Sequence, residues 1–198
     1  AENSSTIFVR MTTSDAQESE VRSGMRSAPT MIRGPIRHTG IIMKWMDLYE
    51  ELAALVDALE ASGTDYAICG GIAVALHGYP RFTKDIDLLV RGEDLAKILS
   101  LIDDLGFSYP AHLMTFGAGS GNERQLQRVS KLEDGETLML DLLITNDALE
   151  EVWEEREYFE WGPRRIQVIS ATGLAIMKRL AGRDQDLVDL KHLGLGEA

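Results

Sequence analysis

An apolar run ending in Gly70-Gly71, followed after thirteen residues by Asp85-Ile-Asp87-Leu-Leu-Val90, most narrowly limits what this chain can fold into. The stretch Ile68-Cys-Gly-Gly-Ile-Ala-Val-Ala-Leu-His77 predicts a strand, a tight turn and a helix, because glycine tolerates the turn and lets backbone approach a ligand closely. Backbone N–H groups and the dipole at such a helix start favour a phosphate. Asp85 and Asp87 are separated by one residue on the next predicted strand, so the period-2 geometry turns both carboxylates to one face. Two hard oxygen ligands side by side suit Mg²⁺.

A third carboxylate lies in Thr137-Leu-Met-Leu-Asp-Leu-Leu-Ile-Thr145, where Asp141 is the only charge in an apolar run. Burying it without a partner is unfavourable by several kcal/mol. A cation beside it removes that cost, and so does an ion pair with an arginine such as Arg128 on the neighbouring strand; both readings stand. Three aspartates on neighbouring strands suit a two-metal site, with ions about 3.5–4 Å apart. His77 lacks ligand-spaced companions and reads as a helix-face residue, and Cys69 reads as a buried strand residue.

The glycine pair, the interval, Asp85-Ile-Asp87 and the later strand aspartate resemble the signature of the DNA polymerase beta-like nucleotidyltransferase superfamily. Within it, Arg81-Phe-Thr83-Lys-Asp85-Ile-Asp87 and the tail Lys178-Arg-Leu-Ala-Gly-Arg183-Asp-Gln-Asp186-Leu-Val-Asp189-Leu resemble the small bacterial AbiEii-like nucleotidyltransferases, over roughly residues 46 to 193. The resemblance implies an α/β (α+β) nucleotidyltransferase fold, with a mixed β-sheet, flanking helices and a short helical C-terminal portion. It implies transfer of a nucleoside monophosphate from a nucleoside triphosphate such as ATP to an acceptor hydroxyl on tRNA, a protein or a small molecule, with a toxin–antitoxin role among the expectations. Asp85, Asp87 and Asp141 are then the metal-binding and catalytic residues, holding two Mg²⁺ ions or Mn²⁺ in their place. Gly70, Gly71, Arg81, Thr83, Lys178 and Asp189 fall at the nucleotide by the same resemblance. The superfamily more often has Gly-Ser where this chain has Gly70-Gly71, so a phosphate contact here rests on backbone alone. The alternative is a catalytically silent nucleotide-binding or antitoxin-like module acting on a cognate toxin. Retention of all three aspartates favours the enzyme.

At 198 residues the chain has room for one domain with a substantial core. Its single cysteine excludes a disulfide framework and Cys-rich zinc motifs. No apolar run approaches the roughly 20 residues that span a bilayer, so a cytoplasmic setting and no membrane partner are expected. Residues 1–42 carry five Arg and four Asp or Glu, leaving 15 basic and 28 acidic side chains on residues 43–198, a balance of −13. Such a surface repels extended polyanions and argues against duplex DNA. A local basic rim of Arg124, Arg128 and Lys131 is the one feature that opposes this.

Residues 1–42 lack apolar periodicity and are expected to be a disordered or mis-annotated extension, with Met43 or Met46 as a sensible start and the domain on 43–198. Helical spacing begins at Asp47 and stops at Gly63, and recurs from Leu95 to Leu105. Strands are expected at Tyr66–Cys69, Asp85–Val90, Gln125–Leu132, Thr137–Thr145 and Arg164–Ile169, with a hairpin turn at Glu133-Asp134-Gly135. Residues 171–181 and 184–193 predict two closing helices, where Lys178 sits at an apolar edge that lets it snorkel outward. For Arg183, a place in the matched tail and a charge complementing a helix C-terminus are equal readings. The acidic run Glu150–Glu157 reads as a solvated helix face, and Gly117–Gly121 as a mobile loop rather than a P-loop.

Overall fold

The computed structural model describes residues 47–119 and 123–196. The expectations for residues 1–42, for Met43 and Met46 and for the end of the Gly117–Gly121 loop lie outside them. Asp47 caps the first helix, α1 (Leu48–Ser62), by accepting from the backbone N–H groups of Tyr49 and Glu50, and Gly63 closes it in the left-handed conformation. Leu52, Leu55, Val56 and Leu59 form its buried stripe, each contributing roughly 1.5–3 kcal/mol by leaving water.

The chain continues through β1 (Ala67–Ile68), α2 (Gly70–Leu76), β2 (Asp85–Val90) and α3 (Leu95–Asp103). Two short strands follow, β3 (Tyr109–Pro110) and β4 (Met114–Phe116), then a long hairpin of β5 (Arg124–Glu133) and β6 (Glu136–Ile144). Helix α4 (Glu150–Glu154), strands β7 (Glu157–Trp161) and β8 (Arg164–Val168), and helices α5 (Ala171–Ala181) and α6 (Asp184–His192) complete it. The hairpin turns on Asp134 and Gly135, whose φ values of 51° and 84° match the two positive positions of a type I′ turn.

The strands form one mixed sheet in the order β3-β5-β6-β2-β1-β8-β7, with β4 also pairing with β5. β2 runs parallel to β6 and antiparallel to β1, and β1 runs parallel to β8. Register settles which side chains share a face. Asp87 stands opposite Asp141, and Asp141 opposite Arg128, so the three lie on the same side of the sheet. The alternate residues Ile86, Leu88, Leu140, Leu142 and Val129 are buried on the other side. Lys131 belongs to that second side, where it binds Glu51 of α1 at 2.8 Å. It is therefore not part of the basic rim expected with Arg124 and Arg128.

Other differences from expectation are local. The acidic run is helical only to Glu154, and Glu157 opens β7, which the density of glutamates hid. Within it Val152 and Trp153 are buried, and Glu150 grips Arg91 in a two-pronged ion pair. Helix α3 stops at Asp103 rather than Leu105, and β1 covers only the middle of Tyr66–Cys69. Among the described residues no helix is long and apolar enough to cross a membrane.

Candidate functional site

Strand β2 carries Asp85 and Asp87 to the face of the sheet on which α2 begins. Helix α2 starts at Gly70 itself, so the glycines form its first turn rather than a loop before it. Gly70 has φ +60°, and a Cβ added there would fall 1.9 Å from Oδ2 of Asp87. Both the backbone conformation and the nearness of the carboxylate exclude a side chain. The Gly71 N–H donates to Asp87, so a carboxylate sits at the helix start where a phosphate was expected.

Asp85, Asp87 and Asp141 offer carboxylate oxygens that all lie within 4.8 Å of one another. Burial and the charges of Asp85 and Asp141 together push the Asp87 carboxyl up to about 7. Three close carboxylates, one of them with its carboxyl raised by burial and by its neighbours' charge, fit a bound divalent cation, and all-oxygen donors suit Mg²⁺ or Mn²⁺. Thr83 donates its hydroxyl to Asp85 Oδ1 at 2.6 Å and so orients that carboxylate.

Asp141 is nearly fully buried and is gripped by Arg128, whose Nε and Nη2 reach its two oxygens at 2.7 Å each. The ion pair foreseen as one reading of Asp141 is thus present, and it coexists with the acidic cluster. Hydrogen bonding to Asp141 holds the Arg128 guanidinium charged.

Lys178 does not snorkel outward. It is buried, with its Nζ 2.6 Å from Asp189 and 3.1 Å from Asp186 on α6. Arg81 reaches the same fully buried Asp189 at 3.1 Å, and Gln185 donates to it at 2.9 Å. Burial alone would raise the Asp189 carboxyl, but the hydrogen bonds from Lys178 and Gln185 outweigh it and hold the group below its ordinary value. Arg183 is the N-cap of α6, not a charge at a helix C-terminus, and pairs with Asp186 at 2.8 Å. The Arg183–Asp186 spacing of three was the available signal for this pair.

A cavity of about 80 Å³ opens beside these groups, lined by Gly70, Asp87, Lys178, Arg183, Asp186 and Arg124 among others. It is smaller than the roughly 300 Å³ at which ligand pockets begin, so a nucleotide would occupy it only in part and extend outward. Arg124 at the start of β5 was read only as part of a rim. Of the remaining expectations, Cys69 is buried, and His77 bonds the Ile169 carbonyl at 2.8 Å and packs edge-on against Phe159, away from chemistry.

The sequence matches a family model described as an uncharacterised nucleotidyltransferase over residues 37–178. No curated protein matches it. Among solved structures, it is similar to a Thermotoga maritima protein assigned to the nucleotidyltransferases, with TM-score 0.53 and 16% identity, covering 73% of this chain and 90% of that one. It is also similar to the lincosamide antibiotic adenylyltransferase LnuA solved with lincomycin bound, with TM-score 0.50 and 20% identity, covering 73% of this chain and 95% of that one. At these identities the likeness is one of fold.

Proposed function

This chain belongs to the family of uncharacterised nucleotidyltransferases, and from that premise we propose that it is a metal-dependent enzyme joining a nucleoside monophosphate to an acceptor hydroxyl. The observation that carries the reading is the convergence of Asp85, Asp87 and Asp141 within 4.8 Å, against a helix start that admits only glycine. These carboxylates would hold Mg²⁺ or Mn²⁺, which when bound neutralises phosphate charge and lowers the pKa of the acceptor hydroxyl.

The chain's own groups do the positioning. Thr83 fixes Asp85, the Gly71 N–H fixes Asp87, and Arg128 fixes the plane of Asp141. Gly70 and Gly71 leave the room in which Asp87 and Thr83 pack against the start of α2. Lys178 lines the cavity with its charge balanced by Asp186 and Asp189, and Asp189 carries that restraint on to Arg81. In the reaction the acceptor oxygen bonds to the α-phosphorus in line, the bond to the β-phosphate breaks and pyrophosphate leaves.

The acceptor follows from charge. With Lys131 turned away and Arg128 committed to Asp141, little of the basic rim remains to offset the acidic body, which favours a small molecule or a protein over tRNA. A small-molecule acceptor is in keeping with the lincomycin-bound adenylyltransferase of similar fold. A toxin–antitoxin setting rests on the AbiEii-like wording of Arg81–Asp87 and Lys178–Asp189. The alternative, a silent nucleotide-binding or antitoxin-like module, draws on the engagement of both Asp141 oxygens by Arg128.

The test is incubation of the full chain with each labelled nucleoside triphosphate, Mg²⁺ or Mn²⁺, and panels of hydroxylated small molecules, proteins and tRNA. Label transfer that disappears in Asp141→Asn, while nucleotide affinity stays within roughly twofold, is the expected result. Nucleotide binding with no transfer to any panel would favour the silent module. Transfer undiminished in Asp141→Asn would remove the role given to that residue.

A further inference from the structure

We infer that Arg124 is the cation of this site that grips the phosphoryl oxygens of the triphosphate, an inference that rests on the nucleotidyltransferase reading above. The argument is one of charge left over. Lys178 is bound by Asp186 and Asp189, Arg183 by Asp186, Arg128 by Asp141 and Arg81 by Asp189. Each of these cations already contacts a carboxylate, with Asp186 and Asp189 each shared by two of them. Arg124 lines the same cavity as Gly70, Asp87 and Lys178, and makes no ion pair among the described residues.

Its Nε is buried and has no hydrogen-bond partner. A buried donor left unpaired costs about 1–3 kcal/mol, and a ligand oxygen that accepts from it recovers that cost on binding. Arg124 lies four residues before Arg128 on β5, so strand geometry puts both on the face that carries Asp141. The planar guanidinium then matches two phosphoryl oxygens at once, which an ammonium does not. A triphosphate entering with its metal finds acidic ligands on one side and, on the other, a guanidinium that has no carboxylate partner among the described residues.

The test uses the full chain and calorimetry. The magnesium complexes of ATP, GTP, CTP and UTP are titrated first, and the tightest is compared with its own nucleoside. Arg124→Gln is expected to weaken the triphosphate about tenfold or more while leaving the nucleoside within roughly twofold, the size of one charge-assisted contact. Arg124→Lys should recover part of the loss. Inorganic tripolyphosphate should displace the nucleotide from the wild type and much less readily from Arg124→Gln. Unchanged triphosphate affinity in Arg124→Gln overturns the inference. So does an equal loss for triphosphate and nucleoside, which marks a residue that only shapes the cavity. Should Arg124→Gln fail to fold, Arg124→Met, which keeps the apolar stem, is judged by the same two readings. A wild type that binds no triphosphate sinks the nucleotidyltransferase reading itself; binding and transfer that ignore Arg124 sink this inference alone.

Discussion

Asp87 carries the most direct consequence at the scale of single residues. Its carboxyl stands at about 7 in the fold against an ordinary 3.8, so between those values the native protein keeps a proton that the unfolded chain has released. Stability without metal therefore falls as pH rises through that window, by up to about 1.4 kcal/mol per pH unit, and levels off above it. Asp87→Asn keeps the acceptor for the Gly71 N–H and loses the charge. In the presence of chelator it is expected to be more stable than wild type at pH 8, with the slope between pH 4 and 7 flattened, as read by urea unfolding. Identical slopes would show that Asp87 titrates normally. A second expectation concerns Gly71, where a Cβ would fall 2.6 Å from Oγ1 and 2.8 Å from Cβ of Thr83. Gly71→Ser, which restores the wording more common in the superfamily, is expected to cost about 1–3 kcal/mol by overpacking and to push Thr83 off Asp85. Adding Thr83→Gly, which removes both clashing atoms, should recover part of that loss, and additive losses in the double variant would refute the coupling. The three aspartates were legible because a charge inside an apolar strand advertises a need for compensation. Arg124 was not, because its isolation depends on where every other cation found its carboxylate.

Between elements, the controlling feature is the clasp of α5 on α6. Lys178 of α5 lies between Asp186 and Asp189 of α6, all three buried. Removing the cation takes one partner from each of two buried acids and leaves Asp186 to Arg183 and Asp189 to Arg81 and Gln185, so Lys178→Met is expected to cost about 1–3 kcal/mol, measured by denaturant unfolding, even though methionine fills a similar volume. A cost below about 1 kcal/mol would mean the acids find water. Both carboxyls lie below their ordinary value, so the stability they contribute is present above that value and is lost as pH falls towards it and below. The two helices themselves were readable from Gly182 and from apolar spacing. Their mutual grip was not, because a lysine at the edge of an apolar stripe looks alike whether it meets solvent or a carboxylate from another helix. Strand β7 escaped notice for a related reason, since its alternation in Glu157-Tyr-Phe-Glu-Trp161 continues a run of glutamates that belongs to α4. The hairpin of β5 and β6, by contrast, announced itself in Asp134-Gly135, the one dipeptide that suits its turn.

Over the whole molecule, the mixed sheet was legible as a succession of strands and helices, whereas its order, with β1 between β2 and β8, was not, because pairing partners are chosen across long separations. We expect a chain beginning at Met43 to melt within a degree or two of the full chain, because residues 1–42 show no apolar periodicity to bury. A loss of several degrees would extend the domain upstream, towards residue 37 where the family match begins. The Arg81–Asp189 bond also has a meaning in time. It joins residues 108 apart, so Arg81, in the loop that delivers the chain to Asp85, has no carboxylate partner until α6 has been made. At about 5–20 residues per second of synthesis, that leaves roughly 5–20 s between emergence of the two partners. In the later part of that interval, once Asp141 has been made, a nascent chain would carry the aspartates and glycines of the site without its closing restraint. The order of the sequence alone therefore places the closing of this restraint last, and translation itself sets the earliest moment at which Arg81 can be held.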